Sequence, residues 1–183
     1  TRARQLVFGS DAAETITVPA APAGAAGGFV VFGLGGDDTI DASNSTVPVI
    51  ASGGAGTDHL IGSINNDTLI VEEGDDTAEG GDGDDDYIVI CCSQLTLSDT
   101  SGLNAISFSL NSFGITFDLS VQGQPQVLNF AANPAGTVTI TGNFTTLVGT
   151  AFNDILTAFE PVFNPVTHQF AAGSTISSGG GDD

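Results

Sequence analysis

The sequence predicts an all-β chain built in part from a tandem repeat. Three observations carry that expectation: a nine-residue repeat over residues 53–88, two-residue apolar alternation over residues 104–148, and no window with helical periodicity or helix caps.

The repeat is legible once "GGAGTDHLIGSINNDTLIVEEGDDTAEGGDGDDDYI" is aligned on its aspartates. Four contiguous units begin at Gly53, Gly62, Val71 and Gly80. The sixth position is Asp58, Asp67, Asp76 and Asp85, and the eighth is Leu60, Leu69, Ala78 and Tyr87. A fifth unit, "GLGGDDTID", begins at Gly33, with Asp38 sixth and Ile40 eighth. Between it and the run, "ASNSTVPVIAS" is one period with a two-residue insertion. Upstream, "FGSDAAETITVP" has the outline of a worn first unit, with Glu14 at the aspartate position and Ile16 at the apolar one. A solvated acidic linker would have no reason to keep an apolar residue at a fixed eighth position.

The chain of 183 residues carries 22 acidic and 2 basic side chains, a formal net charge of -20, and both basic residues, Arg2 and Arg4, lie at its start. Phosphate attraction needs Lys and Arg, so nucleic acid and anionic membranes are excluded as partners. A hydrophobic fraction of 40% and a mean hydropathy of +0.22 argue for a folded core. The most apolar stretch, "PAAPAGAAGGFVVFGLGG" from Pro19 to Gly36, is broken by Pro and Gly and predicts a loop leading into a strand, not a membrane span. No initiator Met or leader is present, and "SSGGGDD" stops partway through the upstream motif, so the chain is expected to be a segment of a longer one.

The turn chemistry points to a hard cation. Glycine tolerates positive φ, so the first half of a unit can turn sharply and aim carbonyl oxygens into one small volume. Calcium takes about six to eight oxygens at roughly 2.3–2.6 Å in irregular geometry, which suits carbonyls plus one carboxylate per turn. The candidate metal residues are Asp38, Asp58, Asp67, Asp76 and Asp85, with turn positions Gly53, Ala55 and Thr57 in one unit and Gly80, Asp82 and Asp84 in another. The side chains of Glu72, Glu73, Glu79, Asp82 and Asp86 are expected to be solvated groups that add field.

These units resemble the RTX, or haemolysin-type, nonapeptide G-G-x-G-x-D-x-U-x of calcium-binding parallel β-rolls. The units at Gly53 and Gly80 match every fixed position, whereas Asn65 replaces the fourth-position glycine and Val71 and Glu72 replace the leading pair. The resemblance implies a right-handed parallel β-roll in which the last three residues of each unit form a strand with the eighth side chain inward. Two units make one coil. Turns on one side then lie eighteen residues apart, so Asp58 would share an ion with the turn of Asp76, and Asp67 with that of Asp85. The insertion lets Asp38 join the first row, and carries no metal turn of its own. About two to three calcium ions are expected, without which the carboxylates would repel one another enough to keep the segment unfolded.

Past the repeats, Ile106, Phe108 and Leu110, then Ile115, Phe117, Leu119 and Val121, alternate onto one face, and Val138, Ile140, Phe144 and Leu147 repeat the habit. "GTAFNDILT" is another worn unit, with Asp154 sixth and Leu156 eighth. Residues 93–178 therefore continue the solenoid with longer, calcium-free coils widened by Phe, or form a separate antiparallel sandwich that alternation alone does not distinguish. The expected divisions are 1–32, a worn repeat and loop; 33–92, the calcium roll; and 93–183, the continuation ending in an incomplete turn. Cys91 and Cys92 are neighbours on an expected strand, one inward and one outward, and are read as two thiols rather than one strained bond.

No catalytic motif is present. His59 sits at an outward seventh position, and Asp118 and Asp154, the one conceivable acid–base pair, are read as structural, so no enzyme is expected. The resemblance implies a secreted bacterial module that folds outside the cell, where calcium is plentiful. Two roles follow: a structural or adhesive segment of a surface protein, stacking head to tail into fibres, or the calcium-binding export module of a secreted protease, lipase or polysaccharide epimerase. The sequence names no glycan or cell-surface ligand.

Overall fold

The computed structural model describes residues 4–22, 27–90, 94–128, 136–158 and 175–181, and the backbone of 163–164 and 169–170. In chain order the first ten strands are β1 (Gln5–Phe8), β2 (Thr15–Thr17), β3 (Phe29–Gly35), β4 (Thr39–Asp41), β5 (Val49–Ala55), β6 (His59–Ile61), β7 (Thr68–Val71), β8 (Thr77–Glu79), β9 (Asp86–Val89) and β10 (Gln94–Ser107). There follow β11 (Thr116–Asp118), β12 (Gln126–Val127), β13 (Thr137–Val148), β14 (Ile155–Thr157), β15 (Phe163–Asn164), β16 (Gln169–Phe170) and β17 (Thr175–Ser177). No helix occurs among the described residues.

Odd strands stack on odd and even on even. One row runs β1, β3, β5, β7, β9, the other β2, β4, β6, β8, and every neighbouring pair is parallel. Each coil thus crosses from one row to the other and back. In the repeats the register advances by two units per coil: Thr68 pairs with Asp86 and His59 with Thr77. The two-residue insertion is absorbed in the loop before β5, so that Ile50 pairs with Thr68.

Strand alternation turns the eighth positions inward. Ile40, Leu60, Leu69, Ala78 and Tyr87 are all fully buried, with Val31, Val49, Ala51, Val71 and Val89 beside them. Side chains between them face water, which is the alternation that a half-buried strand requires.

The two rows meet in β10. Its first half, Thr96–Ser98, pairs with β8 and its second, Ala105–Ser107, with β9, so one strand caps both rows. β13 repeats the path on top of β10, β17 adds to the second half of β13, and β11 pairs with β14 as a third side. These pairs are parallel; among the described residues only the short pairs β12–β13 and β15–β16 are antiparallel. Among the described residues the solenoid therefore runs on past the repeats, and the sandwich is not formed. The wider coils are filled by rings: Tyr87 meets Phe144 edge-on at 5.3 Å, and Phe108 meets Phe117 at 5.2 Å.

One expectation fails here. Leu110 is 62% exposed, because the alternating run is broken by a corner after Ser107. The Asn111 N–H donates to the Phe108 carbonyl, and its side-chain amide donates to the carbonyls of Phe108 and Val89. Phe108, Ile115, Phe117 and Leu119 remain inside. The cysteine pair lies outside the described residues.

Leu34 has a φ of 86°, at the second position of its unit, where Gly54 and Gly81 take 98° and 101°. A leucine there costs roughly 1–2 kcal/mol, and its side chain is too exposed to recover much by packing. Leu34→Gly is expected to raise stability by about 0.5–1 kcal/mol, net of glycine's own entropic cost, in urea denaturation with calcium present.

Candidate metal centre

The sixth-position acids are buried, which is unusual for carboxylates in a chain with two basic residues. Asp38, Asp58, Asp67, Asp76 and Asp85 are each at most 3% exposed. They form two columns along the solenoid. In the first, the Glu14 N–H donates to Asp38 Oδ1 (2.9 Å), the Asp38 N–H to Asp58 Oδ1 (2.8 Å) and the Asp58 N–H to Asp76 Oδ1 (2.8 Å). In the second, the Val49 N–H donates to Asp67 Oδ1 (2.7 Å), the Asp67 N–H to Asp85 Oδ1 (2.7 Å) and the Asp85 N–H to Asn104 Oδ1 (2.9 Å). Each acid thus binds the backbone of the coil before it, and the expected companions, Asp58 with Asp76 and Asp67 with Asp85, are stacked neighbours.

The second oxygen behaves differently. Oδ2 of Asp38, Asp58 and Asp85 is buried with no hydrogen-bond partner. Each is aimed at the first-position glycine of its own unit, and a methyl group on Gly33, Gly53 or Gly80 would collide with it. The space over Gly33 also holds the Gly53 carbonyl oxygen, and that over Gly62 holds the Gly80 carbonyl beside Asp67 Oδ2. A carboxylate from one coil and a first-position carbonyl from the next therefore converge where glycine leaves room. Asp67 Oδ2 differs in accepting the Ser63 N–H.

The other candidate positions are at the turn rims. The Ala55 carbonyl accepts the Gly36 N–H, and the Thr57 N–H donates to Asp37 Oδ1. The side chains of Asp82 and Asp84 do more than face water: Asp82 accepts from Ser101 Oγ and Asp84 from the Leu103 N–H, capping the next turn. Glu73, Glu79 and Asp86 are exposed, whereas Glu72 is half-buried and accepts from Ser52 Oγ. His59 is half-buried on β6. Asp118 accepts from Ser120 within its own turn, whereas Asp154 accepts from Thr150 in its own turn and from the Ile115 N–H of a neighbouring coil.

Sequence reasoning missed Asn104 and Asp99. "DTSGLNAIS", residues 99–107, is a worn unit whose fourth-position Gly102, sixth-position Asn104 and eighth-position Ile106 carry the period, and whose leading glycine is replaced by Asp99. Both residues are buried, at 0% and 4% exposed. The charge change at the sixth position and the loss of the leading glycine hid the unit.

Burial pushes these carboxyls up. Desolvation is the largest cause at Asp58, Asp67, Asp76 and Asp85, partly offset by the N–H bonds and, at Asp58, Asp76 and Asp85, reinforced by neighbouring acids. Asp76 is raised to about 6 and Asp85 to about 7. No three Asp, Glu, His or Cys side chains gather at one point among the described residues. The donor set is instead one acid per turn with backbone oxygens, hard ligands of the kind calcium accepts. The bare oxygens, the glycine-lined space and the want of cationic side chains all fit such an ion.

The comparison with family models decides the class. The model of the RTX calcium-binding nonapeptide repeat matches in four copies, over residues 30–45 and 52–87. Residues 30–87 carry RTX repeats. The comparisons with curated proteins and with solved structures gave no match. The RTX repeat is a structural calcium-binding motif, not a catalytic one, and it suggests a calcium-binding module of a secreted bacterial protein. Among the described residues no helix is long and apolar enough to cross a membrane.

Two outcomes are expected of the RTX turns. A methyl on Gly53 would also press on Asp58 Cγ and Cβ, at 2.6 and 2.7 Å. Gly53→Ala should therefore raise the calcium concentration at half-folding by roughly tenfold or more, while Glu73→Gln, which removes an exposed charge, should shift it less than about twofold; circular dichroism titration separates them. The second outcome concerns pH without calcium. Unfolded aspartates ionise near pH 3.9, below the folded values of about 6 and 7 for Asp76 and Asp85. Between those limits the folded chain holds more protons, so the calcium-free fold gains stability as pH falls from 7 towards 4 and loses it as pH rises through 6 and 7. Strand signal in chelator should accordingly be greater at pH 5 than at pH 8.

Proposed function

We propose that this chain is a calcium-dependent structural or adhesive segment of a secreted bacterial RTX-type surface protein, which folds outside the cell when about two to three calcium ions enter its turns. The observation that carries the proposal is the pair of buried aspartate columns, each acid bonded through Oδ1 and three of them, Asp38, Asp58 and Asp85, bare on Oδ2, in a chain with two Lys or Arg residues. In a calcium-poor cytoplasm the same carboxylates would oppose folding, which keeps the chain exportable. Outside, metal and fold arrive together.

The proposed ligands are the carboxylates of Asp38, Asp58, Asp67, Asp76 and Asp85 with turn oxygens of the units at Gly53 and Gly80. The ion would supply the positive charge that the chain lacks. The chain's own part is to present the acids, hold Oδ1 by backbone N–H groups so that Oδ2 stays aimed inward, and keep the site clear of side chains by glycine.

Stacking into fibres is proposed on the shape of one end. Among the described residues β1 and β2 have one strand neighbour each, β3 and β4. Leu6 and Phe8 are 62% and 61% exposed on β1, with Phe8 stacked on Phe32 at 5.4 Å. A parallel edge of this kind offers backbone groups and apolar area to a further coil, here that of a second copy.

A calcium titration followed by far-UV circular dichroism and light scattering on one sample tests both parts. Strand signal and large particles appearing together are expected. Strand signal with an unchanged monomer at high concentration would remove the fibre, and full structure in chelator at neutral pH would remove the calcium-dependent role.

A further inference from the structure

The site over Gly80 departs from the pattern at four other glycines of the solenoid. At Gly9, Gly33, Gly62 and Gly149 the space beside the glycine is shared by the sixth-position acid of that unit and a backbone carbonyl of the next coil: Gly33, Gly53, Gly80 and Ser178 respectively. Over Gly80 the next coil offers a carboxylate. A methyl group there would collide with Asp85 Oδ2 and Asp99 Oδ2 together, and stand 2.6 Å from the Tyr87 hydroxyl.

Asp99 lies beyond the residues matched by the RTX model, on the first coil after the repeats. Its Oδ1 accepts the Ser101 N–H, and its Oδ2 accepts a hydrogen bond from Tyr87 Oη at 2.7 Å. Asp85 Oδ1 is engaged by the Asp67 N–H, whereas Asp85 Oδ2 is buried and unpartnered, on a residue only 1% exposed. Two acids thus face each other across a glycine, one orphaned oxygen between them. No Lys or Arg exists past residue 4 to neutralise them. An open cavity of about 130 Å³, lined by Glu79, Gly81, Ser98, Asp99 and Thr100, leads from solvent to Asp99 and adds a third acid at its rim.

We infer that Asp85 and Asp99 hold a further divalent cation, a calcium ion bound by two carboxylates and by water admitted through the cavity, which clamps the last repeat to β10. The inference rests on the calcium role proposed above, and extends it past the end of the repeats. Tyr87 is a positioning residue: from its buried ring it fixes the Asp99 oxygen over Gly80. Because β10 caps both rows of strands, an ion here joins the repeat array to the coils that follow. Affinity in calcium sites rises with the number of carboxylates, so this position should hold its ion at least as well as turns with one.

The test uses a spectroscopic accident of composition. Tyr87 is the single Tyr in a chain without Trp, so terbium emission excited through tyrosine reports an ion close to it. With the full chain at pH 8, where protons compete least, Asp99→Asn is expected to bind one calcium fewer by equilibrium dialysis and to lose most of the tyrosine-excited terbium emission, while keeping calcium-induced strand signal. In case that variant folds poorly, Tyr87→Phe supplies a milder probe: calorimetry should show one ion weakened roughly tenfold and the others unchanged. An unchanged ion count and emission in Asp99→Asn, with an unchanged isotherm in Tyr87→Phe, would overturn the site even though calcium still folds the parent. A parent chain that takes up no calcium would instead sink the calcium role itself, and this site with it.

Discussion

Each repeat coil is bonded to its neighbour through one oxygen of a buried carboxylate, and in Asp38, Asp58 and Asp85 the other oxygen is bare. The satisfied oxygen takes a backbone N–H from the preceding coil, at 2.7–2.9 Å along both columns. The bare oxygens of these three acids each point at the first-position glycine of their own unit. Burying ionised carboxylates costs heavily unless positive charge or enough donors meet them. With two arginines at the start of the chain as its whole basic inventory, that charge has to come from outside. The fold is therefore conditional on its surroundings, in cation supply and in pH, in a way that a core of leucines would not be.

The remaining features follow from that condition. A coil of two nonapeptides places only one or two apolar residues from each unit fully inside, and some of these are as small as Ala78. So thin a core leaves the turns to carry much of the stability, which suits a module that must stay open until metal arrives. After β9 the design changes: the coils lengthen, a third side forms from β11 and β14, and Phe108, Phe117 and Phe144 take over the filling. There a larger apolar interior replaces the acid columns. Asp154 survives as a structural acid, bonded to Thr150 and Ile115.

The junction between the two regimes is β10. It pairs with both rows at once, and its turn carries Asn104 where the columns would have an acid and Asp99 where they would have a glycine. The Asn side chain keeps the hydrogen bond to the Asp85 N–H without adding charge, while Asp99 moves an acid to the opposite side of the turn. Charge is redistributed at the boundary, not simply lost.

The nine-residue period, the inward eighth positions, the stacking of acids eighteen residues apart and the absence of helix among the described residues were determined by the sequence alone. Those properties come from local spacing: alternation decides which way a side chain points, and a fixed period repeats the answer every coil. The tertiary structure decided what spacing cannot express. It turned the alternating run at Asn111, leaving Leu110 outside, because a corner bond to Val89 requires a strand that is remote in sequence. It bent β10 so that one strand serves both rows, and brought Asp99 against Asp85 and Tyr87, residues more than ten positions away. It also distinguished the two oxygens of Asp38, Asp58 and Asp85, since the backbone of an adjacent coil bonds one and leaves the other bare.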